Sequence, residues 1–304
     1  QQGKHGVDGF GASLHNTIIL PYLVRHGTEE QKLKYLPRLV SGDLVSAIAM
    51  SEPDAGSDLQ SIKTTALKDG NGYRLNGSKT WISNGQLADF IIVVAKTDPA
   101  EGAKGISLLL LETDGAEGFQ RGKKLDKIGL DAADTSELFF DDVFVPAENV
   151  LGGVEGRGFY QLMGELPQER LIIAVGAING IEKALETTMD YVKNRKAFGQ
   201  TIWDFQNTQF VMADLKARST AARVFVNDCI ARHLKGELDV ATACMAKYWV
   251  TELQGEVVDK CLQFHGGAGF INDYPIARMY RDSRITRIFG GSNEVMKMVI
   301  ARSM

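Results

Sequence analysis

The 304-residue sequence predicts a multidomain α+β chain: helical residues 1–45, a middle antiparallel β-domain at 46–156 and a helical bundle domain at 157–304. Three observations carry that prediction. The spacing of apolar residues is helical in the first segment and becomes strand-like from Ser46. Beyond Pro146 it turns helical again and stays so to the end. Between those points no helix-length segment separates the strands, which excludes a doubly wound nucleotide-binding fold.

Composition narrows the function classes. At 44% hydrophobic and 24% charged residues the chain is globular and long enough for a large core. A net charge of −4, with Lys and Arg scattered throughout, argues against nucleic acid or an anionic membrane as the main partner. No apolar run approaches the ~20 residues of a membrane span. Cys229, Cys244 and Cys261 are odd in number, far apart and in helical patterns, as buried thiols in a reducing compartment would be. The sequence opens on Gln1 without Met or signal peptide, so it is expected to lack N-terminal residues, and targeting is not read from it.

The first segment has a Gly-rich lead (Gly3, Gly6, Gly9, Gly11), then HNTIILPYLVRHG and TEEQKLKYLPRLVSGD at helical spacing. Thr28 before Glu29 and Glu30 is a helix start, and Pro37 sits near the helix end. Strands are expected at SAIAMS, TTAL, GYRLNGSKTWIS, FIIVVAKT, GISLLLLET and SELFFDDVFVP, and Asn76-Gly77 is expected to form a type I′ hairpin turn. Helices are expected at about 157–195, 206–235, 239–265, 275–283 and 292–302, with Asp239 and Ser292 as N-caps, forming an antiparallel bundle.

The stretch from Glu165 to Gly199 reads as one long helix with Pro167 in its first turn and Lys193, Arg195 and Lys196 at its end. Counting from Glu169 brings Ile172, Ile173, Gly176 and Gly180 onto one face, so a carboxylate heads a surface that becomes apolar and bare. A slim ligand fits such a face. The plainer reading is a first-turn surface Glu and glycines that admit a neighbouring helix.

HExxH, paired CxxC and GxSxG are absent, so metal hydrolysis and serine hydrolysis have no starting point. GYRLNGSKT is a near miss to a phosphate loop: Ser78 stands where Lys should follow Gly77, and the expected context is a hairpin rather than strand then helix. SEPDAGSD, Ser51 to Asp58, suits a phosphate or polar cofactor tail, though many such loops are plain turns. In WIS, Trp81 to Ser83, an aromatic beside a hydroxyl either flanks a flat ring or fills a core. HGGAG and FGGSNE place glycine pairs against helix ends, where backbone donors face outward.

In order, EPDAGSD, NGSKTWIS, ERLIIAVGA, NRKAFGQ, QFHGGAGF, YPIARMYRDSRI and GGSNEVMKMVIAR resemble the acyl-CoA dehydrogenase family over essentially the whole chain from about Tyr22. ELPQERL, CMAKYW and GGSNE most resemble the long-chain branch, with the isovaleryl branch next. The resemblance implies incomplete N-terminal helices, the middle β-domain, a C-terminal four-helix bundle and a homotetramer in the bacterial cytoplasm or mitochondrial matrix. It implies FAD as cofactor, contacted by Ile48, Ala49, Met50, Ser51, Ser57, Trp81, Ile82 and Ser83. Further contacts are implied at Gln263, Phe264, His265, Gly266, Gly267, Ser292, Asn293 and Glu294, while Arg195, Phe198 and Gln206 would meet the FAD of a neighbouring subunit. Asp54 departs from the family's usual Gly, and Asp tolerates tight turns.

Many members carry the catalytic Glu at the position of Gly290. The long-chain and isovaleryl branches put it on the long helix, at the Glu of the ER pair, and that match makes Glu169 the base. Pro167, Gln168, Arg170, Ser57, Tyr160, Phe289, Gly290 and Gly291 match substrate-contacting positions, with Arg170 near the CoA moiety. The implied reaction converts an acyl-CoA to a trans-2-enoyl-CoA: Glu169 takes the α-proton, hydride passes to flavin N5, and electrons leave to electron-transfer flavoprotein. An acyl-CoA oxidase is the alternative acceptor class, usually a longer chain. A protein inactivated by the Gly290 change, retained for acyl-CoA binding or assembly, is the non-enzyme alternative.

Overall fold

The computed structural model describes Gly9 and residues 11–304; Gly3 and Gly6 of the Gly-rich lead lie outside the described residues. Two compact units are formed, one of residues 9–127 and 131–165, the other containing 128–130 and 166–304.

In the first unit, Leu14–Ile19 is a π-helical segment that runs into α1 (Leu20–His26), and α2 follows at Glu29–Ser41. A capping box starts α2: Gln31 N–H donates to Thr28 Oγ1 at 3.2 Å, and Thr28 N–H to Gln31 Oε1 at 3.1 Å. Seven strands follow: β1 (Ser46–Ala49), β2 (Thr65–Asp69), β3 (Gly72–Ser83), β4 (Phe90–Lys96), β5 (Ile106–Glu112), β6 (Phe119–Lys124) and β7 (Thr135–Pro146). Their order is β1-β4-β2-β3-β7-β6, with β5 also on β4.

β4 is buried on both faces. Phe90, Ile92 and Val94 pack with Tyr22, Tyr35 and Leu39 of the helices, while Ile91 and Val93 pack with Leu75, Leu138 and Val143 of the sheet. That explains why FIIVVAK is continuously apolar rather than alternating.

Three expectations for this unit need correction. The sheet is not wholly antiparallel, because β1 lies parallel to β4 with Ile48 opposite Ile92. β2 and β3 are inserted between those strands, so the chain returns to β4 by a crossover rather than a hairpin. Asn76-Gly77 is not a turn; β3 runs through it, and the β2–β3 turn falls at Gly70-Asn71, with Asp69 opposite Gly72. Gly77 instead sits at an irregularity against β7, at φ 146°, where a methyl group would fall 2.8 Å from Thr64 Cα. Finally, β6 has no counterpart among the expected strands: its residues FQRGKK are mostly exposed and show no apolar alternation.

In the second unit the helices match the expected spans closely. α3 (Gly158–Asn194) reaches it from the first unit; β8 (Lys196–Ala197) and β9 (Gln200–Thr201) form a small hairpin, and then come α4 (Gln206–Leu234), α5 (Val240–His265), α6 (Pro275–Ser283) and α7 (Asn293–Arg302). Asp239 accepts from Thr242 N–H at 2.8 Å and Ser292 from Val295 N–H at 3.4 Å, so both expected caps form. Leu171, Ala174, Ile178, Ile181 and Leu185 of α3 meet Met212, Leu215 and Val226 of α4 and Val250, Leu253 and Val257 of α5. The three cysteines are buried and unpaired. Among the described residues, no helix is long and apolar enough to cross a membrane.

α3 also corrects the position of Pro167. The helix begins at Gly158, so Pro167 is an interior residue rather than a first-turn one. Glu169 lies some three turns in and is 6% exposed, which removes the reading of a surface Glu at a helix start.

Candidate active site

The apolar core stripe of α3 does not include Ile172 and Ile173 of the Glu169 face, and at the far end of that face Gly180 admits Gln254 of α5, whose Nε2 lies 2.6 Å from where a side chain would start. Ile172 and Ile173 are half-buried and Gly176 is exposed, with no atom within 4 Å of where its side chain would start.

Against Ile173, one turn beyond Glu169, lies Gly290. A methyl group on Gly290 would overlap Ile173 Cδ1, and the residue has φ 64°, so both space and backbone demand glycine. Gly291 follows at φ 91°, with Met296 Cε 2.6 Å from where its side chain would begin. The N–H of Phe289 donates to the Ile285 carbonyl at 3.1 Å. The next two amides, of Gly290 and Gly291, donate to no backbone carbonyl among the described residues.

Arg170 is 5% exposed, a buried guanidinium rather than a surface one. Its Nη1 donates to Cys244 Sγ at 3.2 Å, and its Nε is buried with no hydrogen-bond partner among the described residues. One turn along α5 from Cys244 is Lys247, fully buried, whose Nζ donates to the Gly291 carbonyl at 2.7 Å and to Asn293 Oδ1 at 2.8 Å. Burial, and then the Arg170 charge, push the Lys247 ammonium down to about 8, against the attraction of Glu252 and Glu294. The sequence reading missed Lys247. Its signal was a lone cation at a buried period of the apolar run from Ala243 to Val250.

Arg170 thus meets α5 one turn from Lys247, which holds Gly291, and Glu169 lies one turn before Ile173, the residue against Gly290. Pro167 and Gln168 are half-buried on the same helix, and Phe289 is 41% exposed beside the glycines. Ser57 and Tyr160 belong to the first unit; both are exposed, and the Tyr160 ring lies 5.2 Å from the Arg157 guanidinium.

The remaining expected residues are also split between the units. In the first, Ile48, Met50 and Ser51 are half-buried and Ala49 is buried at the β1 end. Fully buried Lys79 donates to the Met50 carbonyl and to Glu52 Oε1, both at 2.9 Å, and Glu52 also accepts from the Lys63 and Thr64 amides. Burial pushes Lys79 down to about 8 although Glu52 opposes it. Burial would raise the Glu52 carboxyl, but Lys79 and the hydrogen bonds hold it below its ordinary value. Asp54 sits outside this clamp, exposed and 2.8 Å from Lys63 Nζ. Trp81 is 58% exposed at φ 59°, Ile82 takes the core position and Ser83 is exposed, so Trp81 is not a core filler.

In the second unit, His265 is buried, stacks on Tyr191 at 4.2 Å and donates from Nδ1 to the Cys261 carbonyl at 2.9 Å; burial lowers its pKa. Gln263 is exposed and Phe264 half-buried, and Gly266 and Gly267 have open space where side chains would start. Ser292 is spent on its cap. Asn293 donates to Thr251 Oγ1 and Glu252 Oε1, so its side chain, like that of His265, is occupied internally. Glu294 is exposed, its carboxyl lowered by the backbone amide and Ser292 at the start of α7. Arg195, Phe198 and Gln206 are exposed around the β8–β9 hairpin, Phe198 at 95% and φ 52°.

Three family models match in sequence: the acyl-CoA dehydrogenase N-terminal domain at residues 2–43, its middle domain at 47–143 and its C-terminal domain at 156–304. The pig mitochondrial long-chain specific acyl-CoA dehydrogenase is 49% identical over 306 residues, covering 100% of this chain and 71% of that protein. A rice (Oryza sativa subsp. japonica) mitochondrial isovaleryl-CoA dehydrogenase is 40% identical over 299 residues, covering 98% and 73%. A crystal structure of an acyl-CoA dehydrogenase from Geobacillus kaustophilus superposes with a TM-score of 0.96 at 48% identity, covering 98% of this chain and 79% of that one.

Proposed function

Because the chain belongs to the acyl-CoA dehydrogenase family, FAD-dependent oxidoreductases acting on CH–CH bonds, we propose that it desaturates a medium-to-long-chain acyl-CoA to the trans-2-enoyl-CoA with Glu169 as base. The observation that carries this reading is the contact between Gly290 and Ile173. At the loop position that holds the acid in many members, a side chain here would be strained at φ 64° and would have to push Ile173 Cδ1 aside, and that position packs one turn from the helix carboxylate.

A thioester α-proton is weakly acidic and needs a carboxylate held within hydrogen-bond reach. Glu169 is buried, so little water competes for its oxygens. As the proton leaves, negative charge grows on the thioester oxygen, and fixed donors lower the barrier most there. The Gly290 and Gly291 amides are such donors, both without a backbone acceptor among the described residues. Arg170 adds a buried cation with an unspent Nε donor, which we assign to the substrate near its CoA portion. Ile172, Ile173 and Gly176 would border the acyl chain.

The residues present fit FAD: Trp81 is held outward and the Gly266-Gly267 backbone is open to close approach. FAD, when bound, supplies the two-electron acceptor for the β-hydrogen. We assign Ile48 to Ser51, Ser57, Trp81 to Ser83, Gln263 to Gly267 and Ser292 to Glu294 to FAD contacts. Arg195, Phe198 and Gln206 would serve a neighbouring subunit of a homotetramer. We assign electron-transfer flavoprotein as acceptor, the bacterial cytoplasm or mitochondrial matrix as location, and domain bounds of 1–45, 46–156 and 157–304.

Anaerobic titration with acyl-CoAs of graded length and branching tests the reading. Long straight chains should bleach the flavin faster than isovaleryl-CoA. A Glu169→Gln protein should retain FAD yet stay oxidised, and normal bleaching of that variant would overturn the assignment of the base.

A further inference from the structure

Lys247 has no part in the proton or hydride chemistry, yet it is a fully buried cation, and burying an ammonium is costly unless its hydrogen bonds do something. Both of its side-chain bonds end on one short segment, at the Gly291 carbonyl and Asn293 Oδ1. Asn293 is held in addition by Thr251 and Glu252 of the same helix, so α5 grips the far side of the glycine turn at three residues. The near side is held by the Phe289 amide on the Ile285 carbonyl. Between these anchors stand two glycines at φ 64° and 91°, residues with the least intrinsic preference for any one conformation.

We propose that Lys247 is a positioning residue for the Gly290-Gly291 turn, fixing its two amides, which donate to no backbone carbonyl among the described residues, so that they are preorganised to receive the thioester oxygen. The idea rests on the dehydrogenase reading above. Its physical content is that donors already in place stabilise a developing charge without reorganising when it appears. Cys244, one turn before Lys247, contacts Arg170, so the same edge of α5 reaches both the residue after the base and the turn facing the base's helix. A side chain that filled this space without donating would leave the half-buried Gly291 carbonyl without its Lys247 donor.

The test uses full-length, FAD-loaded protein and a 3-arylacryloyl-CoA, whose absorption shifts to the red when its thioester oxygen accepts hydrogen bonds. Lys247→Met should bind it with a Kd within about threefold of the parent but lose at least half of the red shift, and its flavin reduction by acyl-CoA at saturation should fall about tenfold or more. Lys247→Gln, which can still donate to Gly291, should recover most of both. If Lys247→Met does not fold, Lys247→Gln and Asn293→Leu carry the comparison, the first keeping most of the red shift and the second losing at least half. Parent-like red shifts and reduction rates in the variants overturn the proposal and leave the dehydrogenase reading intact. Because the shift is read without turnover, a parent protein that oxidises no acyl-CoA but shows a Lys247-dependent shift would sink the dehydrogenase reading and keep this one.

Discussion

Gly290 lies against Ile173 so closely that a methyl group on the glycine would overlap the isoleucine Cδ1. Substitution at 290 is therefore opposed twice, by Ile173 and by the positive φ. Gly290→Ala should lower unfolding free energy by about 1–3 kcal/mol. Ile173→Ala relieves the overlap but not the backbone strain, so the double variant should lose less than the sum of the singles. Urea midpoints for the four proteins measure the coupling, and strict additivity would show that the two residues do not compete for space.

Gly176 separates a structural role from a ligand-facing one. Nothing lies within 4 Å of the position a side chain would take, and glycine in a helix interior costs about 1 kcal/mol relative to a good helix former. Gly176→Leu should hold or raise the melting temperature while slowing flavin reduction by the longest acyl-CoAs more than by short ones. An equal effect at every length would remove Gly176 from the acyl path.

Lys79 and Glu52 form a buried pair. Lys79→Met leaves the carboxylate buried without its cation and should cost about 3–5 kcal/mol at neutral pH. The pH dependence has a definite sign. With Lys79 pushed down to about 8 in the fold and titrating normally when unfolded, the unfolded chain binds more protons above pH 8, so stability gains from this group as pH rises from 8. The Glu52 contribution, from a lowered carboxyl, is present above the ordinary Glu range and lost as pH falls through its folded value. Urea unfolding between pH 7.5 and 9.5 should show a shallower rise for Lys79→Met than for the parent; parallel curves would contradict the shift.

The thiols should be silent. Cys229, Cys244 and Cys261 are buried, and burial raises all three, Cys261 to about 11. A thiol reagent at pH 8 should label none in the native protein and all three in urea, and rapid native labelling would mean that the bundle opens locally.

The helices of the second unit were legible because each combined a 3.6-residue apolar period with a punctuating residue, as at Asp239 and Ser292. The start of α3 near 157 was also legible from the apolar spacing, and only the placing of Pro167 in a first turn failed, because a proline inside a helix imitates one at its start. Asn76-Gly77 misled because the pair suits a bulge as well as a turn, and only Thr64, twelve residues earlier, decides between them. Of the candidate cluster, local sequence could offer Glu169 as a carboxylate at the head of a bare face. Its burial, the Gly290–Ile173 contact and the role of Lys247 depend on residues more than forty positions apart meeting in space.

β6, the strand that carried no apolar pattern, ends the sheet with Arg121, Lys123 and Lys124 along a mostly exposed row. A strand at the end of a sheet leaves backbone donors and acceptors that any other extended chain can join. Cations spaced along it make that joining repulsive between copies, so the composition that hid β6 is also what keeps the sheet from growing into an aggregate. Neutralising Lys123 and Lys124 together, with Arg121 left on the Ala88 carbonyl, should show up first as concentration-dependent turbidity, before any change in the fold.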